Sequence, residues 1–252
     1  MFPPGTFRPP FRHIGLAAWS SAYRLAEAEL GFVARLPAYL ARTAPSWPVA
    51  RTVAVDVGAS VGVYARAFSR WCPTVIAVEP NADLADHLRA LALPGLRVVE
   101  AAAGANAGHG TLSDGAAGGW RHPTAKLGGP GGWHQPCRIL PLRDVVTPGP
   151  SALVVKIDVE GDELAVVRGM GALLRLPHLL LIIEVERRPG ADAEALFGLL
   201  AAAGLGAWQL RGGRLHRASP RDVPTPPAGG APRLARLHGY RNNFLFRREY
   251  QA

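Results

Sequence analysis

Lysine is almost missing from this 252-residue chain: Lys126 and Lys156 are its lysines, and every other member of the 28 Lys/Arg residues is arginine. Cysteine is as sparse, with Cys72 and Cys137 alone. Two cysteines so far apart form neither a disulfide framework nor a zinc-ligand spacing, so a reducing compartment is expected. No run of eighteen apolar residues occurs, which argues against a membrane-spanning helix. The stretch Ile14 to Trp19 is too short for a signal-peptide core. A cytoplasmic protein is therefore expected, by elimination. What is abundant is apolar: 48% of residues are hydrophobic, enough to fill the core of one large α/β domain. The formal charge of +9 raises the question of an acidic partner. The arginines are scattered, however, apart from Arg233, Arg236, Arg241, Arg247 and Arg248, and the richness in Ala, Gly and Pro points to a compositional bias. No nucleic-acid partner is expected.

Two parts are expected: an N-terminal extension over residues 1–48 and a main domain over 49–252. In the extension, Trp19, Tyr23, Ala26, Leu30 and Val33 fall three or four apart and predict an amphipathic helix over 13–42. Pro37 is expected to kink or end it, and 45–48 reads as a linker. From Arg51 onward strands and helices alternate. Strands are predicted at 52–57, 74–78, 96–99, 152–157 and 179–185, and helices at 61–71, 81–91, 163–174 and 191–203. Near-continuous apolar strands separated by helices imply a parallel sheet covered on both faces. Two further strands, 205–210 and 243–247, are expected to close the sheet as a pair. The segment 104–136 reads as a long glycine-rich loop, with 111–113 as a short edge strand at most. A long loop of this kind is commonly functional. Residues 219–232 form a Pro/Gly-rich loop, and no internal repeat is visible.

The first predicted strand ends in Val55-Asp56-Val57-Gly58-Ala59-Ser60-Val61-Gly62. A strand, a glycine-bearing turn and a helix build a crevice that lets backbone approach a ligand closely. The spacing is Gly-x-x-x-Gly rather than the Gly-x-Gly-x-x-Gly of dinucleotide folds, and Asp56 would repel a phosphate. A ligand carrying an ammonium group fits; so does a purely structural turn in which Asp56 caps the helix. The second strand ends in Val78-Glu79-Pro80-Asn81. An acidic side chain there accepts two hydrogen bonds from a ribose diol, and Asn81 suits a helix N-cap. Asp56 and Glu79 together describe a ligand with an amine and a ribose but no phosphate, as in S-adenosylmethionine.

The densest charge pattern is Lys156-Ile157-Asp158-Val159-Glu160-Gly161-Asp162-Glu163, where an apolar strand turns without a linker into charged residues. Charges are seldom buried unpaired, and in open α/β sheets ligands bind at the carboxyl ends of strands. These three segments, followed by Ile182-Ile183-Glu184, resemble in order and spacing the FkbM-type methyltransferases. The resemblance covers roughly 52–186, with a weaker echo in Asn242-Asn243-Phe244-Leu245-Phe246. It implies a class I methyltransferase fold, Rossmann-like and doubly wound, with seven strands of which the last is antiparallel. It also implies S-adenosylmethionine as cofactor and O-methylation of a hydroxyl on a sugar, glycan or natural-product metabolite. Two positions depart from the family: Asp162 stands where His or Tyr is frequent, and Ser60 where Asn is usual.

The expected cofactor set is Asp56, Gly58, Ala59, Ser60, Gly62, Glu79, Pro80 and Asn81, with Glu100 and Ala101 after the third strand. Methylation of an alcohol needs a base for its proton or a metal to acidify it. Asp158 and Glu184 end strands that should be neighbours, so their carboxylates are expected to converge, with Glu160 near. These three form the expected catalytic set. Asp158 and Glu184 would also suit Mg²⁺, which takes oxygen ligands. Lys156 is expected to pair with one of these acids, and Glu163 to sit in the first turn of a helix. His109, His122, His134, Trp120 and Trp133 belong to the glycine-rich segment and are candidates for acceptor contacts. The competing functions are a nicotinamide-dependent oxidoreductase, which the missing Gly-x-Gly-x-x-Gly disfavours, and a non-catalytic nucleotide-binding relative.

Overall fold

Five short runs rich in Val, Ile, Leu and Ala organise the chain as strands; the four central ones are largely buried on both faces, and the edge one is partly buried. In the computed structural model, which describes residues 31–113, 126–128, 134–226 and 241–249, these are β1 (Thr52–Val57), β2 (Thr74–Val78), β3 (Leu96–Val99), β8 (Ala152–Ile157) and β9 (His178–Glu184). They are parallel, and they share one sheet with β10 (Gly206–Arg211), β11 (Arg214–Arg217) and β12 (Asn243–Arg247). The spatial order is β11-β10-β12-β9-β8-β1-β2-β3. The last strand in the chain inserts antiparallel between β9 and β10. This is the doubly wound fold expected. Among the described residues its sheet has eight strands rather than seven, because Gly212 and Gly213, both at positive φ, turn the chain into the extra edge strand β11. A Gly-Gly pair is a strong hairpin signal, but the polar Arg214-Leu215-His216-Arg217 carries little strand pattern.

Side chains of a strand alternate between the two faces of its sheet. One face packs Val55, Val57, Val155, Ile157, Leu181, Ile183, Phe244 and Phe246 against the helices α5 (Glu163–Met170) and α6 (Ala193–Ala202). The other packs Ala54, Val154, Leu180, Ile182 and Leu245 against α2 (Val63–Phe68) and against α1, helical over 31–43. Val33, Leu36 and Leu40 of α1 lie in that core, so this part of the N-terminal helix packs on the sheet. The helix runs past Pro37, so the proline does not end it. The predicted part before residue 31 lies outside the described residues, as do Trp120, His122 and Trp133. No helix among the described residues is long and apolar enough to cross a membrane.

The predicted loop 104–136 is corrected in part. Its described residues contribute β5 (Gly108–Ser113) and the first residues of β7 (His134–Leu140), paired antiparallel in a second, four-stranded sheet with β4 (Ala102–Ala103) and β6 (Lys126–Leu127). Ala102, Leu112 and Cys137 form its small core. Glycine hid this sheet from sequence patterning, since it adds no side chain to the alternation. Gly110 is needed for close packing: a Cβ there would lie 3.0 Å from Ile139 and 3.1 Å from Leu127. Both cysteines are free and buried, and burial pushes the Cys72 thiol up to about 12, in keeping with an inert role.

Candidate active site

The alternation that buries Ala54, Val154 and Ile182 continues along the same strands and places polar residues at their carboxyl ends. Asp56 is level with Lys156, and Asn243 is level with Glu184. Apolar packing thus gives way, on one face of one sheet, to a row of Asp56, Lys156, Asp158, Glu184 and Asn243. This is the end of an open α/β sheet where ligands bind.

The β1–α2 turn is held from two sides. The N–H groups of Gly58 and Ala59 donate to Val78 O at 2.9 and 3.2 Å. Gly58 has φ +74°, and a Cβ on it would stand 1.9 Å from the carbonyl oxygen of Asp158. Gly62 has φ +79°, and a Cβ there would meet Leu88 at 2.7 Å. Ser60 also sits at positive φ, 49°. The glycines therefore do steric work against neighbouring turns as well as leaving room for a ligand. Asp56 is buried, and one of its oxygens accepts from Ala65 N–H at 2.8 Å, so the helix-capping alternative is realised. Glu79 is also buried. Its two oxygens accept from Ser60 N–H at 2.8 Å and Asn81 N–H at 2.9 Å. Each carboxylate has about four lone-pair sites, so both retain acceptor capacity. Asn81 caps α3 (Ala82–Ala90) through its side chain. Gln135 of β7, missed in the sequence, straps this turn: it donates to Pro80 O at 2.8 Å and accepts from Ala82 N–H at 3.3 Å. Glu100 is exposed and paired with Arg89 at 2.9 Å, while Ala101 is buried.

Asp158 and Glu184 do converge, and their side chains are hydrogen-bonded to each other. Lys156, fully buried, lies 3.4 Å from Asp158, donates to Asn243 Oδ1 at 2.7 Å, and sits 5.0 Å from the centre of the Tyr64 ring. Asn242 donates to Glu184 at 2.7 Å and Glu186 at 2.8 Å. Glu160, at φ +60°, is ion-paired with Arg188, which also binds Glu186 at 2.5 Å. Glu160 thus lies near Glu184, with which it shares Arg188, while its own charge is held by that arginine. Glu163 begins α5, as expected, and turns back to accept Gly161 N–H at 3.0 Å. Glu160, Gly161, Glu163, Glu184, Glu186 and Arg188 line a narrow crevice beside this group. Arg188 and Glu186 carry no assigned role from the sequence, and Asn242 enters it only through the Asn242–Phe246 echo. The alternating acids of Glu184-Val185-Glu186 ahead of Arg187-Arg188 are the signal available for the first two. His109 and His134 lie exposed on the second sheet.

The expected Mg²⁺ site at Asp158 and Glu184 does not fit the donor set. Among the described residues, no three His, Cys, Asp or Glu residues are grouped to hold a metal ion. The place beside Asp158 belongs to an ammonium, and Arg188 reaches within 3.9 Å of Glu184. Cations of the chain itself balance this acidic cluster.

Burial raises Asp56 to about 7, against its hydrogen bond from Ala65 and the charge of Lys156, and raises Glu79 likewise to about 7. Burial, and then Asp158, hold Glu184 well above the usual range, against Lys156. The charge of Asp158 beside it disfavours ionisation of Glu184. For Asp56 and Glu79 the folded state binds protons more tightly than the unfolded chain. Their contribution to stability is complete below about 4 and is lost as pH rises through about 7. Glu79→Gln should therefore flatten the fall of the unfolding midpoint between pH 4.5 and 8 (roughly the window set by the two states) relative to wild type. Scanning calorimetry across that range checks this, and parallel pH profiles for the two proteins would contradict it.

A family model described as "Methyltransferase FkbM domain" matches residues 56–205, more than half of the chain. No curated protein matches the sequence. Among solved structures, methyltransferase FkbM from Methylobacillus flagellatus is similar, with 15% identity, 92% of this chain and 58% of that chain covered, and a TM-score of 0.50. This chain thus spans under two thirds of that protein's length. An rRNA methylase from Streptococcus thermophilus aligns at 11% identity over 88% of this chain and 94% of that one, with a TM-score of 0.41. A SAM-bound amino pentose methyltransferase from Micromonospora echinaspora aligns at 16% identity, with 72% and 61% covered and a TM-score of 0.33.

Proposed function

We propose, from the premise that this chain belongs to the FkbM methyltransferase family, that it is an S-adenosylmethionine-dependent O-methyltransferase acting on a hydroxyl of a sugar, glycan or natural-product metabolite. The observation that carries the cofactor is the placement of Asp56 and Glu79 at the carboxyl ends of adjacent strands, astride a glycine turn. This pair suits an ammonium and a ribose diol, and it disfavours phosphate. S-adenosylmethionine, when bound, supplies a methyl carbon on a sulfonium, which leaves as a neutral thioether. Asp56 would pair with its ammonium, Glu79 would accept from its ribose, and the Gly58–Gly62 turn would let its chain lie against backbone.

On the acceptor side, Asp158 is the base. Its carboxylate takes the proton of the acceptor hydroxyl as the oxygen's electron pair closes on the methyl carbon. Glu184, beside Asp158, orients it, and Lys156 supplies the fixed positive charge that keeps the carboxylate in place. Alignment of the hydroxyl is a large part of the rate gain in such a transfer. Glu160 acts through Arg188, shaping the outer wall of the crevice.

The cofactor half is tested on the ribose contact. Glu79→Ala should weaken binding of S-adenosylhomocysteine by about tenfold or more, the loss of charge-assisted hydrogen bonds, as read by isothermal calorimetry. Unchanged affinity removes Glu79 from the site. Because Glu79 also holds Ser60 and Asn81, Glu79→Gln, which keeps one acceptor oxygen, should fall between wild type and Glu79→Ala.

A further inference from the structure

Lys156 has donors and no acceptor, and this fixes the direction of a chain of side chains that runs beyond the family match. Asn243 must turn its Oδ1 to Lys156, at 2.7 Å. Its Nδ2 then donates to Asn242 Oδ1 at 3.2 Å. Asn242 in turn presents its Nδ2 to Glu184 at 2.7 Å and to Glu186 at 2.8 Å. Glu184 is hydrogen-bonded to Asp158, and Asp158 returns to Lys156 at 3.4 Å. The five residues Lys156, Asn243, Asn242, Glu184 and Asp158 close a ring. Every amide orientation in it is dictated by the ammonium. Reversing either asparagine would set an N–H against a donor, or an oxygen against a carboxylate.

We propose that Asn242 and Asn243 are positioning residues of the carboxylate pair, holding the Glu184 side chain in its orientation beside Asp158. The inference rests on the proposed function for its catalytic meaning, while the ring itself does not need the cofactor. Both asparagines lie outside residues 56–205, and they enter the site because the last strand inserts beside β9, with Asn243 level with Glu184. The charged groups facing Glu184 are Asp158 and Lys156 from the β8 end, and Glu186 and Arg188 following β9. β12 faces it with amides. A neutral donor can stabilise ionised Glu184 without adding a charge beside Asp158.

The test is a carbon-detected NMR titration of side-chain carboxyls in the full-length protein, with Glu184 assigned by its loss in Glu184→Gln. Removing a donor from the charged form raises its midpoint. Asn242→Ala should therefore move the Glu184 midpoint upward by about one pH unit, the equivalent of one hydrogen bond. Asn243→Ala, one link further away, should move it in the same direction by less. Should Asn242→Ala fail to fold, Asn243→Ala alone carries the measurement. Glu184 midpoints that coincide in wild type and the folded asparagine variants would overturn the proposal. Calorimetry with S-adenosylhomocysteine on the same samples separates the two readings. Shifted Glu184 midpoints in the variants, with no S-adenosylhomocysteine binding by the wild-type protein, sink the methyltransferase cofactor and leave the ring. Intact binding with an unmoved titration sinks the ring alone.

Discussion

Asp158→Asn is expected to lower methyl transfer by about 10²–10⁴-fold, the usual worth of a positioned base, while S-adenosylhomocysteine affinity stays within about threefold, an effect of under 1 kcal/mol. The expectation follows from position. Asp158 lies at the end of β8, beside Lys156 and in contact with Glu184, whereas the proposed cofactor carboxylates belong to β1 and β2. An amide of the same shape keeps the packing but cannot accept the proton. Some stability is also lost, because buried Lys156 gives up a charged partner; the loss of a hydrogen bond to a charged group costs about 1.5–3 kcal/mol. Asn243 and the nearby Asp56 remain to hold the ammonium, so the variant should fold. Transfer of labelled methyl from S-adenosylmethionine to a panel of sugar and polyol acceptors, with unfolding followed in parallel, checks both parts. Wild-type turnover in Asp158→Asn would reduce Asp158 to scaffolding.

Gly58→Ala is expected to be the most damaging single methyl group in the molecule's site. Its Cβ would stand 1.9 Å from the Asp158 carbonyl oxygen and 2.9 Å from the carbonyl carbon. That carbonyl belongs to backbone already fixed, since Asp158 N–H donates to Val57 O at 3.0 Å. Gly58 itself is pinned to Val78 O at 2.9 Å. Neither side can yield cheaply, and the positive φ adds about 1–2 kcal/mol for any side chain. A destabilisation of about 3 kcal/mol or more is expected, lowering the unfolding midpoint by about 10 °C for a chain of this size. S-adenosylhomocysteine binding should be lost with it, because the same turn joins the β1 and β8 ends of the site. Gly149→Ala, at an exposed position with nothing within 4 Å of the added methyl, should change stability by less than about 0.5 kcal/mol. Equal midpoints for the two variants would show that the turn relaxes freely.

The parts legible in the sequence share one property: their signal is local. β1, β2, β8 and β9 are continuous apolar runs that end in a charged residue, so both the strands and Asp56, Glu79, Asp158 and Glu184 at their ends were readable. Of β5 only 111–113 was readable, and β7 and β11 were not, because glycine, proline and arginine replace the side chains whose alternation marks a strand. In β5, for example, Gly110 packs close against Ile139 of β7, a contact that the local sequence does not announce. The site was half legible for the same reason. Asp158 and Glu184 were brought together by strand order, whereas Arg188 on Glu160, Gln135 on Pro80 and Asn242 on Glu184 join side chains far apart in the chain or across a turn. Glu100 shows the converse. It follows a strand just as Glu79 does, but its side chain pairs with Arg89 at the surface, and nothing in the local sequence distinguishes the two.

The most direct test of the central claim is calorimetric titration of the full chain with S-adenosylhomocysteine and, separately, with NAD. The acidic pair Asp56 and Glu79 should accept the amine and ribose of S-adenosylhomocysteine and turn away a pyrophosphate. Saturable binding of S-adenosylhomocysteine with no heat from NAD is the predicted result; binding of NAD without S-adenosylhomocysteine would contradict it.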